Sequence, residues 1–256
     1  LHPQSELTAG KSNMLEYETF AYLDVQKTAS TFIAKLLQGY CTEKKIRQRA
    51  HAPVGASYDP SKFYFISVRD PLDQYISLYS YGCKASGAMY WTLHEKGMSD
   101  LYNSSWRGFR HWLDFVLDPE NAGLVSRPYA QAGDGRACQL IGLQSFRLLN
   151  VAVPRPGTVL EQSQTKEALA LAYRQANIAD FTVRYENLRE SLSELIRTKL
   201  RHAISNLEEA LAYAASAEPK NTSDRIDKFE TDPRLGGRRT RILHEREWLL
   251  HEVFGY

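Results

Sequence analysis

Phe20-Ala21-Tyr22-Leu23-Asp24-Val25-Gln26-Lys27-Thr28-Ala29-Ser30-Thr31-Phe32-Ile33-Ala34-Lys35-Leu36-Leu37 changes its hydrophobic period once, and that change decides the fold. Phe20 to Val25 is a short, largely apolar run with aromatic and β-branched members, the pattern of a buried strand. From Thr28 to Leu37 the apolar residues Phe32, Ile33, Leu36 and Leu37 recur at helical spacing, and Gly39 closes the stripe. A buried strand feeding a helix through a tight turn is half of a parallel-sheet unit.

The unit recurs. Lys62-Phe63-Tyr64-Phe65-Ile66-Ser67-Val68 reads as a second strand, followed by Arg69-Asp70-Pro71 and a helical pattern that turns Leu72, Tyr75, Ile76 and Tyr79 inward. The 36 residues from Gln26 to Ser61 separate the two strands, enough for the dozen or more that a parallel crossover needs. Asp180-Phe181-Thr182-Val183-Arg184-Tyr185-Glu186 supplies a third strand before a helix that begins near Asn187. Further helices are predicted at Ser105 to Leu117, Gln164 to Asn177, Leu188 to Ile204, Leu207 to Ala217 and Thr240 to Val253. The alternation predicts an α/β fold, a single domain over residues 1–256 with a mostly parallel central sheet flanked by helices. Ala85 to Tyr102, Asn121 to Arg136 and Pro219 to Arg238 read as long Gly-, Pro- and polar-rich loops, the kind that form lids and binding surfaces.

Val25 to Thr31 lies where strand gives way to helix, so backbone N–H groups and the positive end of the helix dipole converge on one spot. Lys27 adds a mobile positive charge there, and the hydroxyls of Thr28, Ser30 and Thr31 add short-range donors suited to a phosphate. An ordinary helix start with an exposed lysine would look the same. A nucleotide-kinase P-loop needs G-x-x-x-x-G-K-[ST], and neither glycine is present. The loop is therefore only P-loop-like and suits a shorter phosphate group than a triphosphate. At the second unit Asp70 is placed to cap the helix and Pro71 to occupy its first position, which leaves Arg69 at the carboxyl end of the strand. Ser77 falls on the stripe shared by Asp70 and by Asp73 or Gln74, so it can share a ligand with Arg69. The plain alternative is a capped amphipathic helix with a surface arginine.

These residues resemble the sulfotransferases that use 3′-phosphoadenosine 5′-phosphosulfate (PAPS), particularly the carbohydrate type of Golgi enzymes and bacteria. The phosphosulfate loop of that family is similar to Lys27-Thr28-Ala29-Ser30-Thr31, and its 3′-phosphate motif to Arg69-Asp70-Pro71 with Ser77 eight residues beyond the arginine. Tyr185-Glu186-Asn187-Leu188, Lys220-Asn221-Thr222-Ser223 and Phe254-Gly255-Tyr256 extend the likeness, while Gln74 stands where the family commonly has a second arginine. The resemblance implies that Lys27 contacts the phosphosulfate and its bridging oxygen, and that Ser30 and Thr31 bind the 5′-phosphate. It implies also that Thr28 and Ala29 complete that loop, and that Arg69 and Ser77 hold the 3′-phosphate. It points to His51 as the base that takes the acceptor's proton, ahead of His94, His111 and Glu43. The reaction it implies is in-line sulfuryl transfer to an acceptor, a carbohydrate, releasing adenosine 3′,5′-bisphosphate, with Lys27 neutralising the leaving oxygen. No carboxylate cluster or H-E-x-x-H pattern is present, and no metal requirement is expected.

Composition narrows the remaining classes. The 256 residues are 43% hydrophobic and 24% charged, with a formal net charge of +2. That charge is too small to demand a polyanion, despite basic clusters at Lys44-Lys45-Ile46-Arg47-Gln48-Arg49 and Arg238-Arg239-Thr240-Arg241, so no nucleic-acid partner is expected. No apolar run approaches the ~18 residues that span a bilayer. The chain opens Leu1-His2-Pro3 without a signal-peptide pattern, which fits a processed chain. Cys41, Cys83 and Cys138 are odd in number and widely spaced, which argues against a disulfide framework and for a reducing compartment. A bacterial cytoplasm is expected, with a Golgi lumen as the alternative. Asn103-Ser104-Ser105 and Asn221-Thr222-Ser223 are sequons of a kind that arises by chance. Tyr81, Tyr90, Trp91, Tyr102 and Trp106 could stack on sugar rings, although such residues more often pack. Two rival classes remain: a nucleotide kinase with a degenerate loop, and a non-catalytic module that binds nucleotide or glycan.

Overall fold

The computed structural model describes residues 14–49, 54–216 and 235–256. In chain order the elements are β1 (Met14–Glu16), β2 (Phe20–Leu23), α1 (Ser30–Tyr40), β3 (Arg47–Arg49), β4 (Phe63–Val68), α2 (Pro71–Cys83), α3 (Ala88–Glu95) and α4 (Trp106–Leu117). The short α5 (Ala122–Val125), α6 (Arg127–Gln131) and α7 (Ala137–Leu140) follow, then α8 (Leu143–Ala152), α9 (Pro156–Gln162) and α10 (Lys166–Ala176). β5 (Phe181–Arg184), α11 (Leu188–Thr198), α12 (Leu207–Ser216), α13 (Gly237–Arg246) and α14 (Trp248–Phe254) complete the order. They sort into two compact units, one holding the five strands with α1, α11 and α12, the other holding α2 to α10 with α13 and α14. No helix among the described residues is long and apolar enough to cross a membrane.

In the first unit the strand order is β3-β1-β2-β4-β5. β2 and β4 run parallel with Tyr22 opposite Phe65, and β4 and β5 run parallel with Ile66 opposite Thr182. The other half of the sheet is antiparallel, β1 pairing with β2 and with β3. The expected mostly parallel sheet is thus a mixed one. The reason is local: only Tyr17 to Thr19 separate β1 from β2, and a parallel return needs a crossover of about a dozen residues or more.

The predicted stripe of α1 is the buried one. Phe32, Ile33, Leu36 and Leu37 join Phe20, Tyr22, Phe65 and Val183 of the sheet, and Leu188, Leu192, Leu195 and Ile196 of α11, in one core. Each such side chain contributes roughly 1.5–3 kcal/mol by leaving water. α11 stops six residues before the predicted end, because the N–H groups of Lys199 and Leu200 both turn back to the Leu195 carbonyl.

In the second unit α2 begins as its sequence requires: Asp70 accepts from the Asp73 N–H at 3.1 Å, with Pro71 at the first helical position. Tyr75 and Tyr79 pack against Trp112, and Tyr79 against Phe109, while Leu72 is only half-buried. The segments read as loops at 85–102 and 121–136 contain α3, α5 and α6, helices with too few turns to display a period. The predicted helix from Thr240 to Val253 is two helices, broken at Glu247. Glu247 is fully buried and accepts from the Tyr75 hydroxyl at 2.5 Å and from the Gln144 and Ser145 N–H groups at 3.2 and 2.7 Å. It caps α8, and a Cβ at Gly142 would lie 2.1 Å from its Oε1. The neighbouring Arg246 donates to the Cys138 and Ile141 carbonyls and to the Tyr129 hydroxyl. Burial pushes the Arg147 guanidinium down to about 10, a shift that Tyr75 and Glu247 oppose.

Candidate functional site

β2 ends at Leu23 and α1 begins at Ser30, so the turn Asp24 to Ala29 leaves the carboxyl end of a central strand. Two of its residues adopt left-handed backbone without being glycine: Lys27 at φ 71 and Ala29 at φ 76. Thr28 between them does not. Alternation of this kind swings successive N–H groups toward one point, a concavity that binds anions. Ala29 is the N-cap of α1, a residue whose side chain offers no cap, and no acidic residue sits in the first turn. The positive end of the dipole is therefore not neutralised by the helix's own residues.

The turn has a buried side and an open side. Asp24, Val25, Thr28 and Ser30 are buried, whereas Gln26, Lys27, Ala29 and Thr31 are partly exposed. The Thr28 hydroxyl donates to the Val25 carbonyl at 2.6 Å and lies 2.6 Å from the Ser67 Oγ, which lies 2.6 Å from the Tyr22 hydroxyl. The Ser30 hydroxyl donates to the Asp24 carboxylate and lies 3.2 Å from the Val25 carbonyl. Thr28 and Ser30 thus turn their hydroxyls into the protein and shape the loop. Burial and the nearby Asp24 push the Tyr22 phenol well above its ordinary range, so it stays protonated and serves as a donor.

Because a left-handed alanine costs about 1–2 kcal/mol, Ala29→Gly should raise the stability of the protein by about 1 kcal/mol, read as an upward shift of the melting temperature. A lowered melting temperature would contradict the left-handed turn.

Arg69 and Ser77 belong to the second unit. Arg69 is only 6% exposed, and its Nη2 lies 3.3 Å from Asp73 Oδ2, one helical turn on. The alternative of a surface arginine is thereby excluded. Ser77 and Gln74 are buried on the same helix. His51, Lys220 and the residues up to Ser223 lie outside the described residues. Glu43 accepts from the Thr19 N–H at 2.8 Å and lies 3.5 Å from His202 Nε2. Thr19 precedes β2 whereas Lys27 follows it, so Glu43 sits at the far end of the sheet from the loop. His94 lies 2.7 Å from the Ser99 hydroxyl and stacks on Tyr90. His111 lines a shallow surface pocket with Met98, Asp100, Leu101, Asn103 and Gly108. Among the described residues no group of three or more His, Cys, Asp or Glu is arranged to hold a metal ion.

Sequence reasoning missed Tyr22 and Ser67. The available signal was Ser67 itself, the one small polar residue in an otherwise aromatic and aliphatic strand.

Residues 12–129 match the family model described as the sulfotransferase family, a stretch that includes both Lys27 to Thr31 and Arg69 to Ser77. No curated protein and no solved structure matches the chain significantly.

Proposed function

We propose, from the match of residues 12–129 to the sulfotransferase family model, that the chain moves a sulfuryl group from PAPS to a hydroxyl or amine of an acceptor, a carbohydrate by its resemblance, releasing adenosine 3′,5′-bisphosphate. The observation that carries the donor assignment is the pair of left-handed residues, Lys27 and Ala29, at the start of a helix whose first turn holds no acidic residue. That arrangement is an anion site made by backbone and one lysine, without the glycines a triphosphate loop uses.

In this reading the loop's N–H groups and Thr31 take the 5′-phosphate, and Lys27 neutralises charge on the oxygen that leaves sulfur. Sulfuryl transfer passes through a loose in-line transition state, so charge on the leaving oxygen is what the protein must stabilise. Arg69 and Ser77 take the 3′-phosphate, where a planar guanidinium offers a fork of donors. Its pairing with Asp73 favours a fixed guanidinium orientation. His51 takes the acceptor's proton. The acceptor's aromatic contacts are assigned to Trp91 and Tyr81, which are 49% and 40% exposed on the second unit. The three cysteines are free, which fits a reducing compartment such as a bacterial cytoplasm.

The experiment is thermal stabilisation by adenosine 3′,5′-bisphosphate against ADP and ATP, each with and without Mg²⁺. A ligand at 100 times its dissociation constant adds about 2.7 kcal/mol to stability. Stabilisation by the bisphosphate that needs no metal and is lost in Arg69→Ala is the expected result. Greater stabilisation by ATP with Mg²⁺ would make the protein a kinase instead, and no response to any nucleotide would leave a binding module.

A further inference from the structure

The 2.6 Å contacts among the three hydroxyls behind the loop order their protons. A carbonyl can only accept, so the contact between Thr28 Oγ1 and the Val25 oxygen uses the single Thr28 proton. The 2.6 Å contact between Thr28 and Ser67 must then use the Ser67 proton, and the 2.6 Å contact between Ser67 and Tyr22 must use the phenol proton. The result is a directed chain, Tyr22 to Ser67 to Thr28 to the Val25 carbonyl, in which each hydroxyl donates once and each of Ser67 and Thr28 also accepts once. All three side chains are fully buried, so water cannot replace a missing member.

The chain joins three pieces of the first unit: β2, β4 and the turn after β2. Its last bond closes across Val25 to Thr28 and so spans Lys27, whose left-handed backbone costs energy that something must supply. Resting on the donor reading above, we propose that Ser67, backed by Tyr22, is a positioning residue for the phosphosulfate loop. By fixing the rotamer of Thr28 it holds the turn in the form whose N–H groups converge on the 5′-phosphate. Ser67 does not touch the donor and acts only through Thr28.

The proton order makes the two supporting residues unequal. Tyr22→Phe removes the first donor but leaves the Ser67 proton on Thr28, so the loop keeps its brace. Ser67→Ala removes the brace and takes from the buried Tyr22 hydroxyl its 2.6 Å partner. The double variant Tyr22→Phe/Ser67→Ala removes that hydroxyl as well, so its cost in stability is the smaller, while the brace stays broken.

The test uses the full chain and two probes, adenosine 3′,5′-bisphosphate and adenosine 3′-monophosphate, titrated by calorimetry alongside melting temperatures. Ser67→Ala and the double variant are expected to bind the bisphosphate about tenfold more weakly, the loss of one hydrogen bond's influence, with affinity for the 3′-monophosphate unchanged. Tyr22→Phe is expected to bind both as the wild type does. The double variant keeps the test decisive if Ser67→Ala fails to fold. Equal losses on both probes, or no loss on the bisphosphate in the double variant, would overturn the positioning role alone. A wild-type protein that binds neither probe would overturn the donor reading, and this role with it.

Discussion

Lys27→Ala should lower turnover by about 10²- to 10³-fold while weakening the binding of adenosine 3′,5′-bisphosphate less than tenfold. The asymmetry follows from where charge goes. On the proposed reading the bridging oxygen between phosphorus and sulfur carries little of the charge in the bound donor, and several loop N–H groups would share the phosphate. As the bond to sulfur breaks, negative charge grows on that one oxygen, and a lysine placed beside it interacts far more strongly with the transition state than with the ground state. Lys27 is suited to this because its left-handed backbone puts it in the turn itself, partly exposed, and not on the helix that follows. Comparison of kcat with the dissociation constant of the bisphosphate decides the matter. A variant that loses affinity and rate by the same factor would make Lys27 a binding residue only.

Glu247→Ala should destabilise the second unit by about 3–5 kcal/mol. The carboxylate is fully buried, and its removal strands three donors together: the Tyr75 hydroxyl and the N–H groups of Gln144 and Ser145. None of the three has water to turn to, and the last two are the start of α8, which loses its cap. Glu247→Gln keeps an acceptor oxygen and should cost about half as much. All four tryptophans, Trp91, Trp106, Trp112 and Trp248, lie in this unit, so urea unfolding followed by tryptophan fluorescence reads its stability directly. A loss below about 1 kcal/mol in Glu247→Ala would mean that the cap is not what holds α8 in place.

Both residues illustrate what a chain discloses about itself. The α1 stripe and the Asp70-Pro71 start of α2 were legible because each is decided within one or two helical turns, by spacing and by a cap next to the residues it serves. Glu247 was not, because the N–H groups it accepts from are up to 103 residues away in sequence and no local pattern marks a buried carboxylate as a cap. β1 and β3 are three residues each, too short to show alternation, and their antiparallel pairing is what makes the sheet mixed. In the loop the residue types Lys27, Thr28, Ser30 and Thr31 marked an anion site, but types do not say which way a hydroxyl turns. Thr28 and Ser30 face inward because Ser67, Val25 and Asp24 offer them partners there, two of these within the turn and one on a strand forty residues on. The conformation of Lys27 and Ala29 was unreadable for a related reason, since left-handed alanine is rare enough that no sequence rule would place it.

The order of the strands also sets a clock. β4 is complete at Val68, but the strand that covers its outer edge begins at Phe181, so at ribosomal rates of about 5–20 residues per second the edge waits on the order of ten seconds for its partner. During that interval Phe63 to Val68, an aromatic and β-branched segment without a charge, has a row of backbone groups open to other chains. Yield of native protein should therefore depend on translation speed and on chaperones that shield nascent chains, even though the finished fold hides this edge.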